Sequence, residues 1–498
     1  MDADELSTAE TLAPAARRWV RGAGLAAGPL LALALHRLLP DAFTGAAGDP
    51  RALPDEARSA LALMAWMATW WLTGAVDISA TALLPLVLLP FLGAATIEDA
   101  AQPYASPVIF LFLGGFLMAR AMQRWQLDRR IALLVLRRAG TRPDFLIGAF
   151  MVTAATLSAF VSNTATVAMM YPIGLSVVAL LESRRDANGN GDRTFALVLM
   201  LAIAYASSIG GLATIIGSPP NGLLVQYARD HLGHEITFLG WLAIGLPVSA
   251  VLLPFTWWWL VRIAHPVSRE RIPGGEERIA ADLRALGAVK PGEWATFLVF
   301  CAAVLCWVTR PWLARAVPGI SDAGIAVAAG LALLALPLDR RLTTFALDWR
   351  TAAGLPWGVL ILFGGGLSLA GAIDRTGAAE FLGTQASALT GLPPLAFILL
   401  VTSGMIFLTE LTSNTATAAT MVPILAALAA PAGLPPLALV VPVTLAASCA
   451  FMLPVATPPN AIVFGSGRVT IPQMARAGVT LNLVAVLVIT ALVYALVL

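Results

Sequence analysis

Ser162-Asn163-Thr164-Ala165-Thr166 interrupts an apolar stretch at about 144–181, and Ser413-Asn414-Thr415-Ala416-Thr417 interrupts a second one at about 393–430. Polar side chains at membrane depth are costly unless they are satisfied. Ser and Asn also stabilise turns and helix N-caps. Each stretch therefore reads as a re-entrant hairpin with Ser-Asn-Thr at its tip, presenting hydroxyls, a carboxamide and free backbone N–H groups. A helix starting at the tip turns its positive end toward it, which suits a carboxylate. The tip's unpaired carbonyls suit Na⁺. A single copy is equally explained by Ser, Asn and Thr hydrogen-bonding neighbouring helices together; a matched pair is not.

The pair belongs to an internal repeat. Asn163 and Asn414 are 251 residues apart, and so are Gly114 of Leu111-Phe-Leu-Gly-Gly115 and Gly365 of Leu362-Phe-Gly-Gly-Gly366. Ser218-Pro-Pro-Asn221 and Thr457-Pro-Pro-Asn460 form a third landmark, offset by 239. The polar run Glu182–Arg193, which is 12 residues long and has no counterpart in the second copy, accounts for the difference. Two successive prolines break a helix and release the carbonyls of the preceding turn, and proline suits the start of a new half-helix. A cation between tip and break can take carbonyls from both. The simpler reading, a plain proline kink, does not require the same tripeptide in both halves.

Composition sets the surroundings. The chain has 498 residues, 58% hydrophobic and 12% charged. Soluble domains carry about 25% charged residues. A soluble enzyme and a disordered chain are both excluded, and continuous apolar runs argue against a β-barrel. We read an all-α polytopic membrane protein with eleven spans at about 22–39, 59–75, 79–93, 105–124, 195–217, 237–262, 294–312, 323–338, 356–373, 436–453 and 477–497, plus the two hairpins. Arg17, Arg18 and Arg21, the cluster Arg124–Arg142, the run Glu182–Arg193 with Arg184 and Arg185, and the loop Arg262–Glu293 all fall on one side of that topology. The positive-inside rule makes that side cytoplasmic, which puts the N-terminus inside and the C-terminus outside. The acidic N-terminus is not that of a cleaved signal peptide. Asp128–Arg138, apolar in the middle and basic at both ends, is either an interfacial helix or the cytoplasmic end of the fourth span. Gly114 then sits on a span running inward and Gly365 on one running outward. Inverted repeats with helices interrupted at matching positions point to a secondary transporter with its site at the midplane.

The remaining residues add little chemistry. The chain has no H-E-x-x-H and no G-x-S-x-G, and its only lysine, Lys290, follows Val289, so no P-loop exists. Cys301, Cys306 and Cys449 offer no disulfide framework. His36, His231, His234 and His265 lie near span ends and read as interfacial, and Asp77 as a turn residue. Glu410, three residues before Ser413, reads as a structural acid because the first copy has Ala159 there; the alternative is a proton or cation site. No arginine or lysine lies in any motif, so an anion would have to be met by helix ends and bound cations. That gives a physical reason for coupling.

The paired Ser-Asn-Thr motifs, the paired Pro-Pro-Asn breaks and Ser448-Cys-Ala-Phe-Met-Leu-Pro-Val-Ala-Thr-Pro-Pro-Asn460 resemble the divalent anion/Na⁺ symporter family over nearly the whole chain. The resemblance implies a homodimeric, elevator-type transporter in the plasma (inner) membrane of a bacterium. Residues 22–142 and 294–390 would form the scaffold, and 143–268 and 391–498 the transport domain, with a cytoplasmic segment at 1–21 and a cytoplasmic loop at 269–293. It implies substrate contacts at Ser162, Asn163, Thr164, Ser218, Ser413, Asn414, Thr415, Thr457 and Pro458. One Na⁺ site maps onto Ser158, Ser162, Asn163 and Gly217, the other onto Thr409, Thr412, Asn414 and Ala456. The expected substrate is a C4-dicarboxylate such as succinate, malate or fumarate, with Na⁺ as the coupling ion, no other cofactor, no nucleic acid and lipid around the spans. Members that exchange dicarboxylates without Na⁺, or carry citrate or sulfate, share these motifs. A membrane receptor or structural subunit is the reading outside transport.

Overall fold

The computed structural model describes residues 14–45, 49–182, 190–272, 274–385 and 392–497. Most of the expected N-terminal segment, and Arg184 and Arg185 of the polar run, lie outside them. The described chain is mostly helical, and six helices are long and apolar enough to cross a membrane: Ile97–Trp125, Arg193–Gly211, Phe238–Ala264, Pro291–Ala316, Trp357–Arg375 and Ile471–Val497.

Three expected spans take a different form. The stretch 79–93 is not one helix but two, Ile78–Thr81 and Leu84–Phe91. Asp77 caps the first by accepting from Ser79 N and Ala80 N, as its reading as a turn residue anticipated. The stretch 195–217 stops being helical at Gly211, makes a 3₁₀ turn at Ile215–Gly217 and restarts as a half-helix at Pro219–His231. The stretch 436–453 ends as a helix at Ala447, and its half-helix is Pro458–Phe464. Both restarts fall at the paired prolines, where the missing N–H groups end one ladder and a fixed φ begins the next.

The all-α reading needs one small amendment: Ala42–Thr44 and Pro50–Ala52 form an antiparallel strand pair in the loop before the second expected span. The segment 269–293, expected as a cytoplasmic loop, contains the helix Gly275–Ala285. Gln126 adopts a left-handed backbone (φ 58°) that ends helix Pro107–Trp125. Leu127–Ala139 is thus a separate helix, which favours the interfacial reading over a continued span. It is held by a buried ion pair, Arg130 Nε to Glu293 Oε2 at 2.5 Å. Asp144, fully buried, accepts from Arg142 and Arg262. Some arginines used in the positive-inside reading are therefore also held in ion pairs.

The repeat is intertwined. A Cβ on Gly114 would lie 2.3 Å from Ala326 O, and one on Gly365 would lie 2.2 Å from Ala82 O. Each repeat's glycine thus lets the other repeat's backbone approach, which is the small-residue packing used where lipid supplies no hydrophobic driving force between helices. Gly114→Val and Gly365→Val should each sharply reduce folded protein. Each inserts side-chain volume against backbone, at the upper end of or above the roughly 1–3 kcal/mol typical of overpacking. Size-exclusion yield after detergent extraction is the check. Gly404→Ala, where a Cβ meets nothing within 4 Å, is the control.

Candidate functional site

Both apolar stretches with polar tips fold as helix–tip–helix. The first hairpin is Pro143–Ser158 and Asn163–Glu182, and the second is Pro394–Thr409 and Asn414–Ala429. Each arm leading to a tip has 16 residues, about 24 Å of helix, short of a roughly 30 Å hydrocarbon core. The returning helices begin at Asn163 and Asn414, so their unpaired N–H groups face the tips.

Ser162, Asn163 and Thr164 are half-buried, as are Ser413, Asn414 and Thr415. Ser162 Oγ accepts from Ala165 N at 3.3 Å. One corner of the Asn163 carboxamide lies 2.5 Å from Ser158 Oγ and 3.2 Å from both Gly217 O and Ser207 O. With nitrogen at that corner, all three oxygens lie within reach of its two N–H donors. With oxygen there, four oxygens converge and only the Ser158 hydroxyl brings a proton, an arrangement that a cation relieves. Gly211 makes room, because a Cβ on it would lie 2.6 Å from the Asn163 amide and 2.9 Å from Gly217 O. The second copy repeats the pattern: Thr409 Oγ1 lies 2.8 Å from Asn414 Oδ1 and 2.9 Å from Ala447 O, with one proton between the two acceptors. Of the expected cage residues, Ser158, Asn163 and Gly217 are brought together, and so are Thr409 and Asn414. Thr412 instead turns its hydroxyl to Leu408 O (2.8 Å) and Thr417 Oγ1 (2.6 Å), and Ala456 N donates to Leu453 O at 3.2 Å.

The oxygens at both places are hydroxyl, carboxamide and carbonyl. Among the described residues no group of three or more His, Cys, Asp or Glu could hold a metal. Neutral hard oxygens suit a weakly demanding cation, and not a transition metal.

The half-helices cross between repeats. Pro219–His231 packs on helices Leu437–Ala447 and Asn414–Ala429 of the second copy, and Pro458–Phe464 packs on Asn163–Glu182 and Asn190–Gly211 of the first. Ser218, buried, meets Ser448 Oγ at 2.7 Å. Thr457, also buried, caps its half-helix by accepting from Asn460 N at 3.3 Å, while Pro458 is exposed beside it.

Four further residues shape the breaks. Asn221 Nδ2 donates to Gly211 O (3.0 Å) and Thr214 O (2.8 Å), and Asn460 Nδ2 to Ala450 O (3.2 Å) and Leu453 O (3.0 Å). Glu410, 3% exposed, accepts from Phe451 N, Met452 N and Leu453 N at 2.7–3.0 Å and from Asn482 Nδ2 at 2.7 Å. Three of its partners are consecutive backbone donors of the second break and the fourth, Asn482, lies on helix Ile471–Val497, which supports its reading as a structural acid. Ser448 is the fourth. His231, at the end of the first half-helix, pairs through its Nδ1 with Asp374 Oδ2 at 2.5 Å near the end of helix Trp357–Arg375.

The comparisons agree with this architecture. Residues 42–498 match the family model described as the sodium:sulfate symporter transmembrane region. A relative named as a sodium-dependent dicarboxylate transporter, SdcS of Staphylococcus aureus strain bovine RF122, is 43% identical over 481 residues, covering 95% of this chain and 90% of its own. SdcS of strain MSSA476 is 42% identical over the same length and coverage. Two solved transporters share the fold: YdaH of Alcanivorax borkumensis (TM-score 0.59, 14% identity, 95% of this chain and 97% of that one) and MtrF of Neisseria gonorrhoeae (TM-score 0.60, 11% identity, 98% and 96%). On the match across residues 42–498 and the 43% identity to SdcS, the chain belongs to the divalent anion/Na⁺ symporter family of membrane transporters.

Proposed function

We propose that this chain is a secondary transporter importing C4-dicarboxylates together with Na⁺ across a bacterial inner membrane. The observation that carries the reading is the convergence of Ser158 Oγ, Ser207 O and Gly217 O on the Asn163 carboxamide, in a chain 43% identical to a sodium-dependent dicarboxylate transporter. In this reading the Ser-Asn-Thr tips each receive one carboxylate of the substrate. No cationic side chain lies in the motifs, so bound Na⁺ and the helix starts at Asn163 and Asn414 balance the dianion. Without Na⁺ the anion lacks counter-charge, and without the anion the cations repel; this couples the two.

The eleven spans, the inside N-terminus and outside C-terminus, the homodimer and the elevator movement belong to the same proposal. Residues 22–142 and 294–390 stay fixed while 143–268 and 391–498 carry the site across. The short arms of the hairpins support this, since they bring both tips to the interior of the bilayer without spanning it.

Sulfate is the second reading, because the matching family model is described by that anion. Competition separates the two. Labelled succinate uptake by purified transporter in liposomes should be suppressed by unlabelled malate and fumarate, and much less by equimolar sulfate. Strong sulfate uptake with no succinate uptake would overturn the dicarboxylate assignment.

A further inference from the structure

We propose that Asn221 and Asn460 are positioning residues that set the backbone of the two Na⁺ cages, each acting from the far side of its helix break. This deepens the Na⁺ reading above and rests on it.

The geometry is the same twice. Each asparagine is the third residue of its half-helix, Pro219–His231 or Pro458–Phe464. Each is fully buried. Each carboxamide reaches back across the break to two carbonyls, ten and seven residues earlier: Gly211 O and Thr214 O in the first copy, Ala450 O and Leu453 O in the second. The 239-residue offset that relates the Pro-Pro-Asn motifs also relates these four acceptors. Packing around Asn221 and Asn460 by unrelated neighbours would not reproduce both acceptors at the same register.

The chemistry explains why an asparagine is needed. Where a helix stops, its last carbonyls lose their partners. The next helix begins with two prolines, which bring no N–H to replace them. A carboxamide supplies two N–H donors from one short planar group. In the first copy Asn221 ties down Gly211 O and Thr214 O, and Thr214 Oγ1 donates to Ala159 O and accepts from Gly217 N. The loop 212–217 is thereby tied both to its half-helix and, through Ala159, to the first hairpin, and the Gly217 carbonyl faces the Asn163 amide at 3.2 Å. In the second copy Asn460 ties down Ala450 O and Leu453 O, just beyond the Ala447 carbonyl that meets Thr409, and Glu410 accepts from the N–H groups of Phe451, Met452 and Leu453. Leucine matches asparagine in shape and brings no donors. Aspartate would set negative oxygens against two carbonyls.

The test uses the purified full chain. In detergent without substrate, Na⁺ in place of K⁺ should raise the melting temperature of the wild type, because an ion bound only by the folded state stabilises it. Asn221→Leu and Asn460→Leu, with the smaller Asn221→Ser and Asn460→Ser alongside, should melt cooperatively in K⁺ and lose most of that Na⁺-dependent rise. In liposomes, the Na⁺ concentration for half-maximal succinate uptake should rise roughly tenfold, the cost of leaving buried carbonyls unmatched. The succinate KM at saturating Na⁺ should stay within about twofold, since only cation affinity is altered. A purely structural role would lower the folded yield and Vmax and leave the Na⁺ dependence where it was; that result overturns the proposal. Loss of folded protein in all four variants overturns it too. A wild type that shows neither the Na⁺-dependent rise nor Na⁺-dependent uptake would instead sink the Na⁺ reading itself.

Discussion

Asn163→Ala and Asn414→Ala each reduce succinate uptake to background while the purified proteins elute and melt close to the wild type. The two effects separate because the side chains do different things for folding and for binding. Each asparagine starts a helix and is half-buried. Losing a polar residue at a helix start costs about 1 kcal/mol, which the long apolar helices absorb. Losing the carboxamide removes the one group that touches Ser158, Gly217 and Ser207 in the first cage, or Thr409 in the second. Residues that merely support a metal ligand already change affinity about 10- to 100-fold, so removing a ligand should exceed that. Uptake in liposomes, normalised to folded protein, is the check. Wild-type uptake in either variant would remove these residues from the site.

The second large effect concerns Glu410. Glu410→Ala leaves three consecutive backbone N–H groups, at Phe451, Met452 and Leu453, and the Asn482 amide without their acceptor. The backbone donors line the second break, and Phe451, Asn482 and Glu410 itself are buried. Removing one side of a buried charged network costs about 3–5 kcal/mol. The variant should give much less folded protein than the wild type and no measurable uptake. Glu410→Gln keeps one acceptor oxygen and should be intermediate in yield. A Glu410→Ala protein as stable as the wild type would mean that the break is held by other contacts.

The tips and breaks were legible because their signal is local and doubled. Polar tripeptides within apolar runs, and Pro-Pro after a helix, act through their own backbone, so Asn163, Asn414, Pro219 and Pro458 mark helix starts in both sequence and structure. What was hidden depends on distant partners. Ser448 gains its role only from Ser218, 230 residues away, and Glu410 from a loop 41–43 residues later. Asn221 and Asn460 did carry a signal, namely the same residue at the same place in both motifs, but its meaning required the position of the carbonyls. The stretch 79–93 misled because mean hydropathy does not register the prolines, Pro85 and Pro90, within its second helix. The strand pair has three residues per strand, too few for alternation to show.

Labelled succinate uptake into liposomes holding only this protein, comparing an inward Na⁺ gradient with an equal K⁺ gradient, with and without internal succinate, is the most direct test. The account predicts accumulation that requires Na⁺ and does not require internal substrate. Uptake that depends on internal succinate and is indifferent to Na⁺ would make the chain an exchanger and contradict the assignment of the Asn163 and Asn414 cages to Na⁺.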